Sequence, residues 1–118
     1  MSMMGININD KEHPWTEWIL DGRKTIETRK TPSLDPYLGK MVGLIRTGKG
    51  QAELVGFARV DYVLNYLNEE EFDQDHDRHQ VGRDSKYHWA RYGYRLTDVV
   101  TVKPEPITSR GIVARKIR

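Results

Sequence analysis

Residues 13–29 read HPWTEWILDGRKTIETR. The first half has a helical period. Pro14 suits the first helical position, where a missing N–H costs nothing. Trp15, Trp18 and Ile19 recur at three and four residues and make one apolar stripe. Gly22 is a natural stop, because it takes positive φ after the last turn. The spacing predicts a short helix over 13–22. KTIETR, residues 24–29, then alternates as a strand does. In a regular strand Ile26 faces one way with Lys24 and Thr28, while Thr25, Glu27 and Arg29 face the other. Lys24 and Glu27 meet only if a bulge, or the bend after Gly22, re-aims Lys24.

Outward from this junction the chain reads mostly as strands. TPSLDPYLGK (31–40) carries two prolines and a glycine and is loop. MVGLIRT (41–47) reads as a buried strand, GKGQ (48–51) as a hairpin turn and ELVGFARVDYV (53–63) as a second, longer strand. Gly56 within it predicts a bulge or a close backbone approach. Asn68 followed by Glu71 has the form of a helix N-cap with a glutamate three residues later, so a short exposed helix is expected in the acidic stretch. HWARYGYRLTDVVTV (88–102) predicts a strand pair or one long bent strand, which KPEPI should break because proline cannot donate to a ladder. GIVARKI (111–117) is the last strand. The expectation is an α+β, mainly β fold: a small closed or nearly closed barrel of five to six strands with flanking short helices. No crossover of the kind that parallel strands need is evident.

The chain has 118 residues, which fits a single domain over 1–118. It has no cysteine, which excludes disulfides, a thiolate nucleophile and zinc–thiolate sites. No apolar run is long enough to span a bilayer, and MSMMGININDKEH lacks a secretory pattern, so a soluble cytoplasmic protein is expected. Net charge is only +2, from 19 Lys and Arg against 17 Asp and Glu. Its distribution is uneven: residues 61–86 hold eight acids and three bases, residues 87–118 seven bases and two acids. Such asymmetry fits a basic surface for an anionic partner, and equally fits ordinary alternation on a small surface.

Gly22, Lys24, Glu27 and Arg29 spell G-x-K-x-x-E-x-R. This resembles the signature of the ASCH (activating signal cointegrator homology) family. HPW at 13–15, the paired strands 41–47 and 53–63, and YRLTDVVTVKPEPITSRG (94–111) extend the resemblance over most of the chain. The resemblance implies a PUA-like barrel with a cleft between barrel and helix, lined by the motif. PUA-like domains commonly bind RNA or modified bases. Some ASCH members are amidohydrolases of N4-acetylcytidine, and others act on single-stranded RNA. One departure matters: where the amidohydrolases have a nucleophilic threonine, this chain has Glu27. Their helical acid corresponds loosely to Asp75.

The candidate site follows. As an enzyme, Lys24 and Glu27 would be the catalytic acid–base pair, with the lysine pKa lowered by desolvation and raised by the carboxylate. As a binding site, Lys24 donates and Glu27 accepts from an exocyclic amine. The plain alternative is a strand salt bridge. Arg29 suits a phosphate or carboxylate, or pins the 30–40 loop. Trp15 is core or a stacking face, and Trp18 is expected in the core. Thr25, Tyr92 and Arg110 complete the expected binding set. Trp89, Tyr92 and Tyr94 alternate with Arg91 and Arg95, as a nucleic-acid surface does and as a half-buried strand also does. Asp73, Asp75, Asp77 and Asp84 mimic a calcium loop, but Arg78 stands where that loop needs glycine. His76 and His79 could share a transition metal, or simply be solvated. No metal and no cofactor is expected. Arg115, Lys116 and Arg118 could track a phosphate backbone, or belong to a solvated end. The expected ligand is RNA or a nucleoside or nucleotide. A third reading is a protein-interaction domain using the acidic 68–77 segment.

Overall fold

The computed structural model describes residues 3–117. Six strands form one curled mixed sheet: β1 (Met4–Asn9), β2 (Ile26–Arg29), β3 (Met41–Thr47), β4 (Glu53–Asn65), β5 (Tyr92–Pro106) and β6 (Ala114–Lys116). Their order is β2-β5-β4-β3-β1-β6. Three short helices flank the sheet, α1 (Trp15–Leu20), α2 (Glu69–Gln74) and α3 (His76–His79), with a 3-10 turn at Asp35–Tyr37. The result is the expected mainly-β fold, a half-barrel with short flanking helices.

The structure adds one strand and corrects two local expectations, on the crossover and on the proline stretch. The segment MGININ is a strand, which its asparagines and glycine hid by their low strand propensity. That strand runs parallel to β3, so one crossover does exist, made by residues 10–40. The proline stretch KPEPI does not break β5, which continues to Pro106 and pairs with Glu53 there. Beyond Arg95, β2 no longer pairs with β5, so the prolines lie where one edge of the strand has no ladder to interrupt.

Pro14 precedes rather than opens α1 and makes no side-chain cap. The orphan amide at Thr16 is met instead by Asp10, whose Oδ1 accepts from Thr16 N at 3.1 Å. A buried carboxylate at a helix start is favoured by the helix dipole. Burial nonetheless pushes the Asp10 pKa above its usual value, against the pull of Thr16.

The main core gathers Ile6 and Ile8 of β1, Leu44 of β3, Val60 of β4 and Leu96 of β5 against Trp15 and Ile19 of α1. The other face of the sheet packs a smaller group, Ile45, Leu54 and Ile107. The long β4–β5 pair carries three register shifts, which bend it and curl the sheet. α2 is capped as the sequence predicts: Asn68 Oδ1 accepts from Glu71 N at 2.9 Å. Among the described residues no helix is long and apolar enough to cross a membrane.

Candidate functional site

Gly22 ends α1 at φ +86, and the next residues turn sharply. Lys24 N donates to Trp18 O at 2.9 Å and Thr25 N to Arg78 O at 2.8 Å, so β2 begins only at Ile26. That bend re-aims Lys24 to the side of Glu27, and Lys24 Nζ lies 3.7 Å from Glu27 Oε1. The lysine is 2% exposed. Its ammonium donates to His79 O at 2.6 Å and lies 5.0 Å from the Trp15 ring centroid. Burial pushes its pKa down to about 8, while Glu27 resists that shift and Arg29 adds to it.

Glu27 is held from its other side. Arg29 donates to Glu27 Oε2 through Nη2 at 2.9 Å and Nε at 3.2 Å. The same Nη2 donates to Asn7 O at 2.8 Å. Arg29 thus ties β2, at one end of the strand order, to β1, one strand in from the other end, and a side chain spans the seam that the sheet leaves open.

Above this row opens a cleft of ≈ 570 Å³. Of the expected site residues, Trp15, Lys24, Glu27 and Arg29 line it. Thr25, Tyr92 and Arg110 are not among its lining residues. Thr25 is held by its backbone, Tyr92 packs at the margin of the core, and Arg110 is exposed. The wall is supplied instead by Asn7, Lys30, Lys86, Tyr87 and Arg115. Five lining side chains are basic (Lys24, Arg29, Lys30, Lys86 and Arg115), and one, Glu27, is acidic. Asn7 went unread because its strand did. Tyr87 falls just before the aromatic stretch that begins at 88, and Arg115 belongs to the basic tail.

Trp15 is both core and cleft wall, 4% exposed, with its ring edge-on to Tyr87 at 6.2 Å. Trp18, expected in the core, is only half-buried, stacked on His13 and covered by the Arg23 guanidinium at 3.9 Å. Four buried side-chain atoms have no hydrogen bond among the described residues: Asn7 Oδ1, Trp15 Nε1, Arg115 Nε and Asp73 Oδ2. Asp73 Oδ2 faces Arg83 Nη2 at 2.7 Å, so its charge is met. The other three all belong to cleft residues.

The histidines and aspartates of 73–79 do other work. His79 is fully buried; its Nε2 meets Phe72 O at 2.6 Å, its Nδ1 accepts from Val81 N, and its ring stacks on Phe72 at 4.0 Å. Burial pushes its pKa down to about 4. It is a neutral core histidine, and both ring nitrogens are occupied, so it does not share a metal with His76. Asp75 bonds Tyr66 and pairs with Arg78, in two short helices rather than a calcium loop, and does not line the cleft. Tyr94 is buried and donates to Asp35, so this part of the aromatic alternation is packing.

No protein-family model matches the sequence, and no curated relative matches it. Solved structures do. The fold is similar to that of ASCH from Zymomonas mobilis, with a TM-score of 0.74 at 15% identity, over 98% of this chain and 87% of that one. A point variant of that protein gives 0.74 at 15% identity, over 100% of this chain and 91% of that one. The chain therefore has the ASCH fold.

Proposed function

We propose that this chain is an ASCH domain that binds RNA or a modified nucleotide in the cleft over Lys24, Glu27 and Arg29. The observation that carries this reading is the charge of the lining, five bases against one acid, above a floor where an ammonium and a carboxylate lie side by side. A ligand with an anionic backbone and a base edge matches both parts. Lys24 donates to a ring acceptor and Glu27 Oε1 takes an exocyclic amine. Tyr87 and the Trp15 edge bound the base, and Lys30 and Lys86 meet phosphate.

The test is fluorescence anisotropy with a labelled single-stranded RNA decamer. Saturable binding by the parent chain, lost at least tenfold in Lys24→Ala and in Glu27→Gln, is the expected result; a single lost charged contact is worth about 1.5–3 kcal/mol. Unchanged affinity in both variants would remove the cleft from the interaction.

One observation favours a second reading, a hydrolase. A lysine whose pKa lies near 8 beside a carboxylate is poised for proton transfer. On an N4-acylated cytidine, Glu27 would take a proton from water as its oxygen adds to the acyl carbon. The C–N bond would then break, with Lys24 protonating the departing amine. Thr28, a lining residue, stands beside the position where the related amidohydrolases carry a threonine. A mass-resolved incubation with N4-acetylcytidine decides it: free cytidine and acetate from the parent chain, and none from Lys24→Ala, would establish the enzyme.

A further inference from the structure

Asn7 and Arg115 project from the same face of the β1–β6 pair, because Arg115 is opposite Gly5 and Asn7 is two residues along from Gly5. Both line the cleft. The Asn7 amide is locked in one orientation, since its Nδ2 donates to Gly111 O and to Ile112 O, each at 2.9 Å. Its Oδ1 is therefore an acceptor with no donor. Arg115 Nη1 donates to Ser109 O at 3.1 Å, while its Nε–H is a donor with no acceptor. A buried polar group left unmade is costly, and such exceptions in a cleft point to a missing partner.

The two unmet atoms have opposite character. A phosphate oxygen would answer Arg115 Nε but would face Asn7 Oδ1 lone pair to lone pair. An amine would answer Asn7 and leave Arg115 unmet. A hydroxyl does both at once, accepting from Nε–H and donating to Oδ1. On a nucleotide the group of that kind which varies between ligand classes is the ribose 2′-hydroxyl. We propose that Asn7 and Arg115 form a 2′-hydroxyl subsite, so that the cleft selects ribonucleotides over deoxyribonucleotides. This rests on the nucleotide-binding reading above.

The segment 109–112 takes hydrogen bonds from both side chains and has to give way slightly for the hydroxyl to reach them. Little side-chain packing opposes that shift: Gly111 and Ile112 are exposed, Ile112 at 96%.

The experiment compares one labelled decamer sequence as RNA, as DNA and as 2′-O-methyl RNA on the parent chain. RNA is expected to bind about tenfold or more tighter than either of the others, because the methyl ether keeps the acceptor but loses the donor. Arg115→Lys keeps the charge and loses the fixed Nε–H, and should bring RNA affinity down to that of DNA. Equal affinity for RNA and DNA on the parent chain overturns the subsite while leaving nucleotide binding intact. Binding of none of the three overturns both readings. Because the comparison of the three oligonucleotides needs no variant, a misfolded Arg115→Lys leaves the test complete.

Discussion

Lys24 shows how one residue can cost stability and define a site. Its ammonium is buried, and its carboxylate partner is shared with Arg29. Replacing a whole buried ion pair by apolar side chains is often neutral or stabilising, but removing one partner leaves the other charge less well met. Lys24→Met leaves Glu27 to Arg29 alone and His79 O without its donor, and is expected to lower stability in urea by about 1–3 kcal/mol while losing ligand binding. The pH dependence has a definite sign. The folded amine titrates near 8 and the unfolded amine near 10.5, so between these values the unfolded chain holds more protons and stability rises with pH. That rise should vanish in Lys24→Met. His79 gives the acid limb: its pKa falls from 6.5 to about 4 on folding, so stability is lost as pH drops through that window, by about 3 kcal/mol in all. Urea midpoints at pH 7.5 and pH 5 should show about 2 kcal/mol of it. Sequence alone could state the condition for Lys24 to meet Glu27, a bend after Gly22, but not that the bend occurs. It expected Trp18 in the core and left Trp15 open, since spacing puts both on one stripe and cannot tell which ring the neighbouring loops cover.

Among the elements, the β4–β5 ribbon shapes the molecule, and Gly56 marks a close backbone approach within it. A Cβ on Gly56 would lie 2.5 Å from Val100 O, a backbone atom that cannot swing aside. Gly56→Ala is expected to destabilise the fold by about 2 kcal/mol, read as a lower thermal midpoint with secondary structure retained. Asn68→Ala should cost about 1 kcal/mol through loss of the α2 cap. Gly56 and Asn68 were legible because each carries a local signal, a glycine inside an apolar strand and a capping pair. MGININ was not, because its alternation covers only Ile6 and Ile8 and its other positions are poor strand formers. KPEPI misled because the ban on proline holds for a strand paired on both sides, and whether β5 is paired there depends on how short β2 is.

For the whole molecule, near-neutral net charge conceals a basic cleft set apart from the acidic α2 surface. If ligand phosphates are met there, affinity must fall with salt, by a slope of about −0.7 in log–log form for each one neutralised on a single strand. Lys86→Ala should reduce that slope by about one such unit, seen in anisotropy titrations between low and moderate salt. The global fold was readable from the motif and strand count, while the walls of the cleft were not, because they come from segments distant in sequence that only the curl of the sheet brings together.

That curl leaves β6 in an unusual position. It is three residues long and its ladder is with β1 alone, yet it supplies Arg115 to the cleft. Opening free energies in a protein range from near zero at such margins to the global value in central strands. The amides of β6 should therefore exchange with deuterium long before those of β4, and a ligand that grips Arg115 should slow them selectively. The molecule then has a built-in reporter: occupancy of the cleft is written in the exchange rates of its most lightly held strand.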